Sequence, residues 1–218
     1  MSDRPLPPLH AILDVDAARA AGWTVPDLAR ACLSGGAGCL QVRAKHLAGG
    51  PLLELCDEVV GLARQAGAVV IVNDRADLAR LSGAAGVHVG QDDLAAAAAR
   101  AIVGAAAIVG VSTHTPGQAL EAFGQPVDYV AVGPVFGTSS KDTGYAAVGL
   151  QLVRRVAALA RDAAGPRPVR PVVAIGGVTL DRARSVLDAG ASAVAVISDL
   201  LIGDPETRVR EYMRVLAG

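Results

Sequence analysis

The sequence predicts a single (β/α)8 TIM barrel spanning residues 1–218. Three observations predict it. Eight short β-branched runs alternate with Ala-, Leu- and Arg-rich stretches of helical period, and no linker interrupts them. Hydrophobic residues make up 52% of the chain but aromatics only 3%. Its core must therefore be built from Ala, Val, Leu and Ile, which suits a parallel sheet buried on both faces by helices. The first run is followed by VDAARAAG, which lacks the glycine-rich fingerprint that a doubly wound dinucleotide fold carries at that point.

The strands are expected at LHAILD (9–14), CLQVRA (39–44), VVIVND (69–74), GVHVG (86–90), AIVGVST (107–113), YVAVGPV (129–135), PVVAIGGV (171–178) and AVAVISD (193–199). Between them lie the helical stretches PDLARACLSGG, PLLELCDEVVGLARQAG, DLAAAAARAIVG, GLQLVRRVAALARDAAG and TLDRARSVLDAG; several end in Gly, as a left-handed C-terminal cap requires. SGGAGCLQV, LSGAAGVHV and LDAGASAVAV repeat one theme, a helix cap running into the next strand. Residues 15–25 read as a loop plus a helical turn on the rim, and residues 1–8 as a flexible leader.

A formal net charge of -1, with no basic face or Lys/Arg run, excludes an electrostatic case for nucleic acid. Cys32, Cys39 and Cys56 lack metal-ligand spacing and read as small buried hydrophobes in a reducing cytoplasm. The N-terminus MSDRPLPPLH has no apolar signal region, and no segment approaches the ~20 residues that span a bilayer. The expected partners are small molecules, without membrane or nucleic acid, and the sequence is compatible with a homo-oligomer.

Polar residues at the carboxyl ends of barrel strands are the site candidates of this fold. The chain has only two lysines, Lys45 and Lys141, and one asparagine, Asn73, and all three follow strand runs. Where arginine supplies the solvated cations, a retained ammonium points to a compact charge that a guanidinium fork cannot replace. After strand 2, alternation puts Gln41, Arg43 and Lys45 on one side, facing inward. Two inward cations two residues apart need an anion, either a carboxylate partner or a phosphate ligand.

Asp74 ends strand 3, and Gln91-Asp92-Asp93 follows strand 4. An Asp after each of two adjacent parallel strands could share a hard cation such as Mg2+. Asp92 or Asp93 could instead cap the helix of LAAAAAR, Asp92 more readily than Asp93. Strand 5 ends in Ser112-Thr113-His114; without an orienting carboxylate these favour hydrogen bonding to a ligand over covalent catalysis. His10 and His88 read as satisfied core histidines, and His46 as a rim residue. The loop Gly137-Thr138-Ser139-Ser140-Lys141 suits oxyanion binding. Gly176-Gly177 and Ile197-Ser198 end strands 7 and 8, where backbone N–H groups commonly hold a phosphate. Two separate anion sites are therefore expected.

QVRAK, VND, HVGQDD, GVSTH, GPVFGTSSK, AIGGV and VAVIS, in this order, resemble the thiamine-phosphate synthase family from about residue 9 to 200. That resemblance implies coupling of 4-amino-2-methyl-5-hydroxymethylpyrimidine diphosphate to a thiazole phosphate, with release of pyrophosphate. It also implies that Gln41, Val42, Arg43, Ala44, Lys45 and Asn73 bind the pyrimidine diphosphate, joined by Ser112, with Lys141 on the leaving diphosphate. Asp74 and Asp93 would hold Mg2+. Thr138, Ser139, Ser140, Gly177, Ile197 and Ser198 would hold the thiazole phosphate. Rival readings are a related thiazole tautomerase, a Schiff-base aldolase using Lys141 and a non-catalytic phosphate sensor.

Overall fold

The computed structural model describes residues 6–137, 147–166 and 168–217, and every predicted strand run contains a strand. They are β1 (Leu9–Asp14), β2 (Cys39–Arg43), β3 (Val69–Asn73), β4 (Gly86–Val89), β5 (Ile108–Thr113), β6 (Tyr129–Val132), β7 (Val172–Ile175) and β8 (Ala193–Val196). All pairs are parallel and the sheet closes in chain order, with Leu9 of β1 opposite Val194 of β8. The expected TIM barrel is the fold observed.

Among the described residues the helices are α1 (Val15–Ala20), α2 (Val25–Ser34), α3 (Gly49–Gln65), α4 (Ala76–Leu81), α5 (Ala96–Val103), α6 (Pro116–Phe123), α7 (Gly149–Ala164), α8 (Leu180–Asp188) and α9 (Pro205–Ala217). Local chemistry sets their ends. Thr24 and Asp27 cap α2 reciprocally, the Asp27 N–H donating to Thr24 Oγ1 at 3.2 Å and Thr24 Oγ1 donating to Asp27 Oδ2 at 2.7 Å. Gly36, Gly67, Gly83 and Gly190 all carry a positive φ just past a helix, as the C-cap reading expects. None of the helices is long and apolar enough to cross a membrane.

The structure differs from the sequence reading mainly where strands end. Runs 6, 7 and 8 were expected to reach residues 135, 178 and 199, but the ladder stops at Val132, Ile175 and Val196. Past β8 the chain winds into a 3-10 turn, Ser198–Leu201. Apolar character persists beyond the ladder because Val135 and Val178 still bury in the core. In the 15–25 stretch, Val15–Ala20 is a helix capped by Asp14, whose Oδ1 accepts the Ala17 N–H at 2.9 Å. At the N-terminal side Leu6 packs against the barrel interior, and Pro8 O accepts the Val194 N–H at 2.9 Å.

Strand alternation divides the core into two. Leu13, Val42, Val72, Val87, Val109 and Val130 face the helices as part of one large outer core. Ile12, Tyr129, Ala131, Val173, Ala193 and Ala195 form a separate cluster inside the barrel. Tyr129 is the bulky member of that inner set. His88 stacks on its ring at 5.5 Å between centroids, and His10 meets it edge-on at 5.4 Å. Space for the phenol comes from Gly110, its register partner on β5, where a Cβ would stand 2.0 Å from Tyr129 Cζ.

His10 is buried as expected but is not satisfied, because Nε2 has no hydrogen-bond partner among the described residues. Burial pulls its pKa down to about 4 from 6.5, so it folds neutral. The unfolded chain takes up this proton below pH 6.5 and the folded chain only near pH 4, so stability falls across that window as pH drops. Replacing His10 with Phe, which keeps a ring against Tyr129, should flatten acid unfolding between those limits. The expected difference is up to about 3 kcal/mol at the acid end, read from urea titrations at stepped pH. Parallel stability curves for both chains would refute it.

Candidate active site

The carboxyl ends of β2, β3 and β4 bring one charged cluster together. On β2, Val42 packs into the outer core and Ala44 lies partly buried against it, so these residues offer a ligand only main chain. Gln41 and Arg43 alternate to the inner side, as predicted. Gln41 is buried, and Arg43 forms an ion pair with Asp14 at the end of β1, its register partner. Arg43 Nε is buried with no partner among the described residues. Lys45, just past the strand, forms an ion pair with Asp74. Among the described residues each of these cations is therefore paired with a carboxylate.

Asp74 holds an unusual backbone. Its φ is 65°, the one positive value outside glycine among the described residues. The Arg75 N–H reaches back to Asn73 O at 2.8 Å, closing a γ-turn around Asp74, while the Asp74 N–H donates to His88 O at 2.7 Å. Asn73, half-buried, is the register partner of His88. Strain of this kind persists where surrounding contacts over-determine it. Here it turns the Asp74 carboxylate toward Lys45 and Asp93.

Asp93 corrects the capping alternative. Helix α5 starts at Ala96 with Ala95 as its cap and no side-chain capping bond, while Asp93 Oδ2 accepts the Gly90 N–H at 2.7 Å. The residue folds back to the end of β4 because the two intervening residues, Leu94 and Ala95, separate it from the helix. Burial, then the Asp93 carboxyl, push the Asp74 pKa up, against the opposing pull of Lys45. No group of three His, Cys, Asp or Glu gathers among the described residues. A cation here would take two carboxylates and complete its shell from water and ligand oxygens, the donor set that Mg2+ accepts.

Ser112, at the end of β5, lies between this cluster and a second site. Its Oγ is 2.8 Å from His88 Nε2, and His88 Nδ1 is 2.9 Å from Tyr129 Oη. The side chain of Gln91 donates to Ser112 O at 2.6 Å. His114 Nδ1 donates to Gly133 O at 2.5 Å. From Ser112 a cleft of about 250 Å³ runs past Gly133, Gly176 and Gly177 to Ile197 and Ser198. At Gly177, φ is 62° and a Cβ would stand 2.5 Å from Gly137 O, so only glycine lets the loops after β6 and β7 touch.

The far wall is fixed by a residue that sequence reasoning missed. Asp199, in the 3-10 turn, is buried and accepts from Leu180 N at 3.2 Å, Arg208 Nη2 at 2.8 Å and Tyr212 Oη at 2.6 Å. One carboxylate thereby ties the turn after β8 to the start of α8 and to α9. Asp14 was missed as well, although it ends the first apolar run as Asp74 ends the third. Thr138, Ser139, Ser140 and Lys141 lie outside the described residues.

A family model described as thiamine monophosphate synthase matches residues 11–200. The chain belongs to that family. It is 42% identical over 213 residues to the thiamine-phosphate synthase of Koribacter versatilis, covering 97% of this chain and 96% of that one. The thiamine-phosphate synthase of Natronomonas pharaonis is 40% identical over 205 residues, 93% of this chain and 92% of its own. A solved thiamine phosphate pyrophosphorylase from Pyrococcus furiosus superposes with a TM-score of 0.80 at 30% identity, covering 96% of this chain and 95% of that one. The solved structure titled native KDPGal, with a TM-score of 0.71 at 17% identity, shares the fold alone.

For this family member the Asp74 carboxylate is held at a stability cost, with a raised pKa and a strained backbone. A carboxyl with a raised folded pKa binds its proton more readily folded than unfolded, so its penalty is full at neutral pH and vanishes on acidification. Asp74→Asn removes the charge and suits a positive φ better. It should raise the neutral-pH unfolding midpoint by roughly 2–4 °C, about 1 kcal/mol. The gain should fade as pH falls through the carboxylate range. A thermal melt series against pH checks this, and a variant less stable than the parent at pH 7 contradicts it.

Proposed function

We propose that the chain joins 4-amino-2-methyl-5-hydroxymethylpyrimidine diphosphate to a thiazole phosphate, giving thiamine phosphate and pyrophosphate. The observation that carries this reading is a barrel mouth with two unlike halves that share one wall. One half is the charged cluster of Arg43, Lys45, Asp74 and Asp93; the other is the glycine-lined cleft ending at Ser198. Family membership supplies the chemistry.

The reaction is a dissociative substitution. The bond from the pyrimidine methylene carbon to the diphosphate oxygen breaks, and its electron pair leaves with the diphosphate. The electron-rich aminopyrimidine stabilises the resulting benzyl-like cation, and the thiazole nitrogen lone pair then forms the new carbon–nitrogen bond. No protein nucleophile is required. Arg43 and Lys45, with Lys141, stabilise charge developing on the departing oxygens, and such electrostatic terms are the largest that enzymes commonly deploy. Ser112 hydrogen-bonds the pyrimidine diphosphate. Thr138, Ser139, Ser140, Gly177, Ile197 and Ser198 bind the thiazole phosphate, largely through main-chain groups.

A cation is favoured by charge arithmetic. Arg43 and Lys45 face three carboxylates, Asp14, Asp74 and Asp93, so the cluster is net negative before a diphosphate arrives. Mg2+ held by Asp74 and Asp93 would invert that balance and neutralise the leaving group. A cytoplasmic location fits Cys32, Cys39 and Cys56, all buried and free.

Pyrophosphate release with both substrates, with and without Mg2+, tests the reading. Release should need both substrates and stop on chelation. Trapping by borohydride with a carbonyl substrate, in place of pyrophosphate release, would point to an aldolase. Lys141→Ala should lower kcat by about 100-fold while thiazole phosphate binding changes less than about twofold. Unchanged turnover would remove Lys141 from the leaving-group site.

A further inference from the structure

The barrel interior contains two polar side chains, Tyr129 and His88, that have no part in the proposed reaction. Tyr129 Oη, His88 and Ser112 Oγ form a continuous hydrogen-bond chain from the middle of the barrel to the wall of the cleft. The two links, 2.9 Å and 2.8 Å, use the two different ring nitrogens of His88. All three side chains are buried. Superficially this is a serine with a histidine base behind it.

The proton inventory decides otherwise. A phenol must donate its proton when buried, or leave a donor unsatisfied. Among the described residues, His88 Nδ1 is the hydrogen-bond partner of Tyr129 Oη. Burial also pushes the Tyr129 phenol well above its usual range, so the proton stays on oxygen. Nδ1 must therefore accept, and the neutral ring carries its proton on Nε2. Nε2–H then donates to Ser112 Oγ. A nitrogen that already holds a proton cannot deprotonate the serine. What remains for Ser112 is its own O–H, which has to point away from His88.

We propose that Tyr129 and His88 are positioning residues that lock Ser112 as a hydrogen-bond donor toward an acceptor oxygen of the bound pyrimidine diphosphate. The acceptor's identity rests on the function proposed above; the tautomer and the direction of donation do not. The device works as a ratchet of donors. Tyr129 donates to His88, His88 donates to Ser112, and Ser112 donates outward. A donor is what a departing diphosphate oxygen needs, since it gains negative charge as the bond breaks. Gly110 belongs to the same device, because it makes the room that brings the phenol to Nδ1.

Two measurements test this. The first is the nitrogen chemical shifts of 15N-histidine-labelled protein, with the His88 signals assigned by their loss in His88→Gln. The proposal requires a protonated Nε2 and an unprotonated Nδ1; a ring protonated at Nδ1 overturns it. This readout needs no activity, so it decides the proposal even if pyrophosphate is never released and the functional reading fails. The second is a double-mutant cycle of Tyr129→Phe with Ser112→Ala in the pyrophosphate assay. Tyr129→Phe alone should lower kcat/KM for the pyrimidine diphosphate by about tenfold while KM for the thiazole phosphate stays within about twofold. Combined with Ser112→Ala it should add less than about twofold, because its effect passes through the serine. Equal losses in both backgrounds, or matching shifts in both KM values, would mean that Tyr129 acts only as barrel packing. A further variant, His88→Gln, retains an N–H donor near Ser112 and should keep more activity than His88→Leu; the reverse order would count against the chain.

Discussion

Closing eight parallel strands into a barrel confines every inward side chain to one small, shared volume, and the rest of the structure follows from how that volume is divided. Here the division is uneven. Ala131, Ala193 and Ala195 contribute little bulk, Gly110 contributes none, and a single phenol, Tyr129, takes the released space. A barrel filled only by Val and Ile would be a dry plug. Tyr129 instead carries a hydroxyl into the middle of the plug, and a buried hydroxyl must be hydrogen-bonded. That requirement brings His88 against it, and His88 in turn reaches Ser112 at the mouth. Core packing and site geometry are thus one constraint in this protein.

The mouth follows a second rule, which is that half-buried cations must be held by counter-charges. Arg43 and Lys45 would repel each other and search widely if left unpaired. Asp14 and Asp74 hold them, each carboxylate coming from the strand next to the cation's own strand in the closed sheet. On the proposed reading the pairing is competitive: a diphosphate would offer the same cations more oxygens, and Asp74, if it helped hold Mg2+, would no longer be free to pair with Lys45. Asp14 plays its part without leaving the protein frame, because its other oxygen caps α1. Arg43 therefore has a fixed tether and Lys45 an exchangeable one.

Much of this was legible in the sequence, for a physical reason. Period-two alternation along QVRAK gives the inward set directly, and the end of each apolar run gives the rim, so Gln41, Arg43, Lys45, Asn73, Asp74 and Ser112 could be assigned to one face. Register between strands was not legible. The pairing of Asp14 with Arg43, or of Gly110 with Tyr129, depends on how far each strand is staggered around the barrel, and no local pattern encodes that. His88 was read as a satisfied core residue. Its burial and its partners agree with that reading, but periodicity could not show that one of those partners is Ser112. Asp93 had a helix cap as its alternative to a metal role, because Asp before an alanine run usually caps; the turn that instead takes its carboxylate back to the Gly90 N–H is one local preference winning over another.

The two halves of the mouth are built differently, one from charged side chains and one from glycine-rich turns. On the proposed reading, the diphosphate departs as charge develops, so its site uses side-chain cations and a metal, whose attraction grows with that charge. The thiazole phosphate is a handle that stays attached throughout. A handle needs a fixed position more than it needs strong attraction, and backbone donors on a braced turn supply that. Asp199 provides the brace by accepting from α8, from Arg208 and from Tyr212 on α9. The braced turn lies beyond the cleft from Ser112. On the proposed reading the thiazole phosphate and the departing diphosphate are held by separate groups, so loss of the diphosphate leaves the thiazole in place to capture the carbon that has lost its bond.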